Sequence, residues 1–242
     1  LDEGKHVFCE KPFALSISDA ENILHSVEKA GVVYQLGFNR RLAPAYKKMK
    51  VLITEGDLIP RSFNIKMNRG ELQIPPWISD SKLTGGFLFE STLHLIDIVS
   101  YLFGEAENIT AVGTKSVEHG VDDFSLLFEL MYCSHGVFSS SAHSTWVFPF
   151  ERVEIYGEHI SIFNDEMEAV TYCLGLNVPV EKRDFSTLPI EERWGYTQED
   201  QVFVNRILGL DSDNNNLVAT HIEGFKNVEI IESIYDQIGL DR

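Results

Sequence analysis

The sequence predicts an α+β fold: a short strand-helix-strand unit, then a large, predominantly antiparallel sheet with helices packed on it. Three observations carry this. Residues 1 to 38 alternate strand, helix and strand patterns at βαβ spacing, residues 107 to 173 hold six β-rich segments separated by short turns, and helical patterns stand before and after that run.

Taken in order, His6-Val7-Phe8-Cys9 reads as a strand. Ser18 with Glu21 three residues on has the form of a capping box. Ala20, Ile23, Leu24 and Val27 then mark a helical face, and Gly31 is a stop. Val32 to Phe38 reads as a buried strand, so the unit implies parallel strands with a right-handed crossover, the tail end of a doubly wound domain. The chain opens on Leu1 in what reads as the middle of an element, so a truncated N-terminus is expected. Pro44 suits the first turn of a second helix, running to about Thr54 and closed by Gly56. Ser62 to Met67 alternates as a strand, and Ile74-Pro75-Pro76-Trp77 with Gly85-Gly86 marks a loop.

Phe87 to Phe103 then reads as a helix that is apolar over most of its circumference and therefore buried. Within it Glu90, His94 and Asp97 stand four and three apart and so share one face. Ionisable groups in a buried helix need partners or ligands. A local carboxylate-histidine pair and an acid/base site both fit that spacing.

Segments 107 to 117, 122 to 132, 136 to 147, 151 to 157, 159 to 164 and 167 to 173, rich in Val, Ile, Phe, Tyr and Thr, read as an antiparallel meander. Phe124, Phe128, Phe138, Trp146 and Phe148 are expected to fill a core on one face and a subunit interface on the other. Residues 174 to 195 read as a long polar loop, and Thr197 to Leu208 and Ala219 to Ile238 as helices. The turn from Asp211 to Asn216 between them lacks the Gly and distal Glu of a calcium loop.

With 242 residues, 44% hydrophobic and 24% charged, the chain is long enough for a sizeable core. The net charge of -17 argues against nucleic acid and anionic membrane as partners. Cys9, Cys133 and Cys173 are widely spaced and suggest neither disulfides nor a zinc site, which fits a reducing cytoplasm. His119, His135, His143, His159 and His221 share no metal-ligand spacing. No apolar run approaches the roughly 18 to 20 residues of a membrane span.

Glu10-Lys11-Pro12 follows a strand end directly, at the carboxyl edge of a parallel sheet where ligands usually bind. A partly desolvated ammonium there can exchange protons or stabilise developing charge. An ordinary surface turn has the same local sequence.

Together, Gly4 to Pro12, Gly37-Phe38-Asn39-Arg40-Arg41 and Gly85-Gly86 with Glu90, His94 and Asp97 resemble the glucose-fructose oxidoreductase, inositol dehydrogenase and MocA family (Gfo/Idh/MocA). The resemblance implies that residues 1 to 38 are the remnant of a dinucleotide-binding Rossmann domain. Residues 39 to 242 would be a substrate-binding and oligomerisation α/β domain. It implies an NAD- or NADP-dependent oxidoreductase acting on a secondary alcohol of a sugar, inositol or related polyol, assembled as a homodimer or homotetramer through the sheet. Lys11 and His94 would be catalytic, and Glu90, Asn39, Arg40 and Asp97 substrate-binding, with a role for Asp97 in orienting the helix alone as the alternative. Glu10, Lys11 and Pro12 would line the cofactor side, with a cis bond before Pro12 possible. Glu90 stands where the family commonly carries Asp. No GxGxxG turn occurs in the sequence, so this stretch alone is expected to bind NAD(P) poorly. A non-catalytic binding or oligomerisation module is the alternative expectation.

Overall fold

The computed structural model describes residues 1–56, 58–69, 76–116, 120–131, 135–145, 147–148, 150–210, 214 and 216–239, without the side chains of Pro76 and Ser79. His119, Cys133, Trp146, Ile74, Pro75 and most of the 211–216 turn lie outside that set.

Strand β1 (Val7–Glu10), helix α1 (Ile17–Ala30) and strand β2 (Tyr34–Gly37) form the expected unit, with β1 and β2 paired in parallel. The cap is not the expected one. Ser16, in extended backbone, accepts from the Asp19 N–H at 3.1 Å, so the helix is capped two residues earlier than a Ser18–Glu21 box predicts. Gly31 closes it in the left-handed region.

After α2 (Pro44–Thr54) comes β3 (Ser62–Asn68), then β4 (Ala106–Thr114), β5 (Asp123–Leu130), β6 (His135–Ser141), β7 (Glu151–Gly157), β8 (Ile160–Asp165), β9 (Ala169–Leu174) and β10 (Glu181–Asp184). All eight join one sheet in the order β10-β9-β8-β7-β3-β6-β5-β4. The expected meander is therefore interrupted: β3 inserts between β6 and β7, parallel to β6 and antiparallel to β7. Its alternation of buried Phe63, Ile65 and Met67 continues the core rows of its neighbours. Gly136 leaves room for the Phe63 ring, since a Cβ there would lie 2.4 Å from ring atoms. Residues 174–195 are not all loop, because β10 pairs with β9 and a short helix α5, Ile190–Arg193, follows; the short α3, Ser81–Thr84, lies earlier in the chain.

Phe87 to Phe103 is not one α-helix. Leu88–Thr92 forms a π turn that leads into α4 (Leu93–Phe103), a feature that often marks functional sites. Helix α6 (Tyr196–Ile207) and helix α7 (His221–Ile238) complete the chain, α7 opening on a Thr220–Glu223 capping box.

The inner sheet face and the helices share one core. Phe63 stacks on Phe103 of α4 at 4.3 Å, and Phe124, Phe128 and Phe138 are buried with them. That core runs on into the first unit through Phe13, Leu36 and Phe38. Phe148, by contrast, is exposed. Among the described residues no helix is long and apolar enough to cross a membrane, and no group of three His, Cys, Asp or Glu could hold a metal ion.

Candidate active site

Strand β1 ends at Glu10, and the Lys11–Pro12 peptide bond is cis. The Lys11 ammonium donates to the Glu90 carbonyl inside the π turn and lies 3.8 Å from the Glu90 carboxylate. Burial lowers its pKa from the ordinary lysine value; the Glu90 carboxylate opposes the shift, and Arg69 and Arg40 add to it. Glu90 also accepts from the Ser91 hydroxyl.

His94, in the first turn of α4, meets the Phe38 ring edge-on at 5.8 Å. Its Nδ1 is buried without a protein partner. Burial first, then the charges of Arg40, Lys11 and Arg69, hold its pKa well below the ordinary histidine value. The imidazole is thus neutral at neutral pH and able to accept a proton. Lys11 and His94 reach this neighbourhood from two separate elements, the end of β1 and α4.

Arg40 follows β2 in a single 3-10 turn, Asn39–Leu42. Its Nε donates to Glu151 of β7 at 2.8 Å, and the Tyr46 hydroxyl donates to the other Glu151 oxygen. The guanidinium lies 5.8 Å from the Trp194 ring and 6.0 Å from Phe150, which stack on each other. The Asn39 amide donates to the Trp194 carbonyl at 2.9 Å, so Asn39 fixes the wall of the site. Gly195 makes this approach possible: at φ +91°, a Cβ would sit 2.3 Å from the Asn39 carbonyl oxygen. Glu10 lies against Gly37, its register partner, where a Cβ would meet Glu10 Oε2 at 2.9 Å.

Asp97 is held by Arg41 and Asn227, which fits an orienting role for it in the helix. Arg41 donates to both its oxygens, at 2.7 and 2.6 Å, and Asn227 of α7 donates to Oδ1 at 3.0 Å. With Arg41 also donating to Glu223 at 2.7 Å, these bonds tie α4 to α7 through Asp97, which is fully buried. Glu90 faces Lys11, whereas Asp97 faces Arg41.

Sequence reasoning missed Arg69, Phe150, Glu151, Trp194, Tyr196 and Glu199. Arg69 acts on both Lys11 and His94, and Arg40, Glu10 and Arg69 all act on Tyr196. Burial, then Glu10, pushes the Glu199 carboxyl up to about 9. The signal available was Trp194-Gly195-Tyr196, an aromatic-Gly-aromatic run in an otherwise polar stretch.

Residues 46–163 match the family model described as the GFO/IDH/MocA C-terminal domain, and residues 1–38 match the oxidoreductase family model with an NAD-binding Rossmann fold. Myo-inositol 2-dehydrogenase of Thermotoga maritima is 28% identical over 177 residues, covering 70% of this chain and 52% of that protein. Inositol 2-dehydrogenase of Rhizobium meliloti is 22% identical over 211 residues, covering 84% and 61%. The chain thus spans from about half to three-fifths of the length of these relatives. A levoglucosan dehydrogenase solved with NADH and L-sorbose superposes with a TM-score of 0.83 over 98% of this chain and 72% of that one, at 18% identity, and so shares the fold. From the two family models, laid along the strand-helix-strand unit and the eight-stranded sheet, it follows that the chain belongs to the Gfo/Idh/MocA oxidoreductase family.

Proposed function

We propose that the protein transfers a hydride between NAD or NADP and a secondary alcohol carbon of a sugar, inositol or related polyol. The observation that carries this is that a largely buried Lys11, held on Glu90 at the carboxyl edge of a parallel strand pair where dinucleotides bind, lies near enough for its charge to act on the buried His94, whose Nδ1 has no protein partner. The residues present suit the nicotinamide end of such a cofactor: Glu10, Lys11 and Pro12 stand at that edge, and the Lys11 ammonium there is partly desolvated, held by the Glu90 carbonyl. When bound, the nicotinamide supplies the hydride acceptor.

The chain's own groups handle the proton. A secondary hydroxyl cannot lose its proton unaided at neutral pH, so His94 removes it as general base while the Lys11 ammonium stabilises the developing alkoxide. Glu90 and Arg40 hold neighbouring hydroxyls, and Asn39 acts by holding Trp194 in the wall of the site. In this reading residues 1–38 close the dinucleotide-binding domain and residues 39–242 form the substrate and assembly domain. The outer face of the sheet, where Val112, Leu127 and Val137 are exposed, joins copies into a cytoplasmic homodimer or homotetramer.

The test follows dinucleotide absorbance in the full-length protein over a panel of inositols and sugars. Lys11→Ala and His94→Ala should each lower kcat by about a hundredfold or more. Undiminished turnover in both would overturn the assignment.

A further inference from the structure

Glu151 opens strand β7 with a carboxylate that is wholly buried. A buried charge persists only where partners balance it. Glu151 has two: Arg40 Nε donates to one oxygen at 2.8 Å, and the Tyr46 hydroxyl donates to the other. The three groups come from the turn after β2, from α2 and from β7, so the fold brings this network together from stretches far apart in the chain.

What the network holds is a guanidinium beside His94. The turn that carries Arg40 begins after Phe38, whose ring meets His94 edge-on at 5.8 Å. Phe150, the residue before Glu151, stacks on Trp194, and the Arg40 guanidinium lies 6.0 and 5.8 Å from those two rings. Tied at Nε and bounded by two rings, that planar group has one orientation. The charged groups acting on His94 are Arg40 from this turn, Lys11 from the end of β1 and Arg69 from the end of β3. Glu90 answers Lys11 at 3.8 Å, as Glu151 answers Arg40. A histidine that takes up a hydroxyl proton becomes an imidazolium, and an unbalanced cation nearby opposes that step.

We propose that Glu151 is a positioning residue of the reaction: it locks the Arg40 guanidinium in one orientation against the Phe150 and Trp194 rings and balances its charge, so that His94 can take up a proton beside it. Fully buried, with an oxygen on each partner, Glu151 acts through Arg40. The inference rests on the dehydrogenase reading of the same site. An ion pair that only tied β7 to the turn would add stability and leave the proton affinity of His94 where it was.

The test is the pH profile of kcat/KM in the full-length protein, on whichever inositol or sugar it oxidises fastest. The ring 15N signal of His94, titrated by NMR without cofactor, gives a readout independent of turnover. The acid limb of the profile follows protonation of His94 and lies below the ordinary 6.5. Glu151→Gln keeps the shape and removes the charge. It should move the limb and the NMR titration to lower pH and reduce kcat at neutral pH about tenfold. Arg40→Met with Glu151→Leu removes both charges at similar volume, a change that buried pairs tolerate, and should move both readouts to higher pH. Tyr46→Phe, which keeps both charges, should lower stability and leave both readouts in place. Readouts that stay put in Glu151→Gln, or in the double variant where the single one does not fold, would overturn the proposal while leaving the dehydrogenase reading intact. So would a displacement in Tyr46→Phe as large as that in Glu151→Gln. If the wild-type protein oxidises none of the polyols, the dehydrogenase reading fails and takes this inference with it.

Discussion

Replacing Asp97 by Leu separates an anchoring role from a substrate-binding one. The side chain is fully buried and takes two hydrogen bonds from Arg41 and one from Asn227. Removing one partner of a buried ion pair costs about 3 to 5 kcal/mol, because the other charge stays buried and uncompensated. Arg41 keeps Glu223, at 2.7 Å, so the lower end, about 3 kcal/mol, is expected. For a chain of this size that corresponds to a fall in Tm of roughly 6 to 12 °C. Urea unfolding at constant m-value measures the loss. The double variant Arg41→Met with Asp97→Leu should recover most of it, since an apolar pair of similar volume replaces the ion pair. A loss below about 1 kcal/mol for Asp97→Leu, in the range of an exposed pair, would refute the argument. So would an Asp97→Asn variant of unchanged stability that no longer binds substrate.

Other outcomes follow from the same geometry. Gly195→Ala forces a Cβ to 2.3 Å from the Asn39 carbonyl and 2.6 Å from the Ala43 nitrogen at φ +91°, so it should destabilise by about 1 to 3 kcal/mol and displace Trp194, read as a changed tryptophan emission. Glu199 carries a folded-state pKa of about 9 against an ordinary 4.5, so between those values the native state holds a proton that the unfolded state has lost. Stability should therefore fall as pH rises through that window, by up to about 1.4 kcal/mol per unit from this group, and Glu199→Gln should flatten the slope. His94 has the opposite sign: its folded pKa lies below the ordinary 6.5, so the unfolded state binds the extra proton and stability is lost as pH falls below about 6.5. His94→Gln should remove that acid limb in denaturant titrations across pH.

Much of the fold was legible because it is local. The six β-rich segments from 107 to 173 became β4 to β9 almost in place, since alternating burial writes itself into each strand. The insertion of β3 between β6 and β7 was not legible, because pairing partners far apart in sequence leave no local mark. The π turn at Leu88–Thr92 was hidden for a related reason: its residues are as helix-compatible as those of α4, and tertiary contacts such as Lys11 with the Glu90 carbonyl are not visible in the sequence. In the site, Lys11, Glu90 and His94 came from motifs and helical spacing. Asp97 shared that spacing but turned to Arg41, which no periodicity rule could name. Arg69, Trp194 and Tyr196 arrive from strand and helix ends that meet only in three dimensions.

Single-turnover hydride transfer in Lys11→Met, His94→Asn and the double variant of the full-length protein is the most direct test of the central claim, that these two groups act on one reacting carbon. Each single variant should slow the step by about a hundredfold or more, and the double should lose much less than the product of the two, as groups acting as a unit do. Multiplicative losses, or a step that keeps its rate in either single variant, would contradict the account.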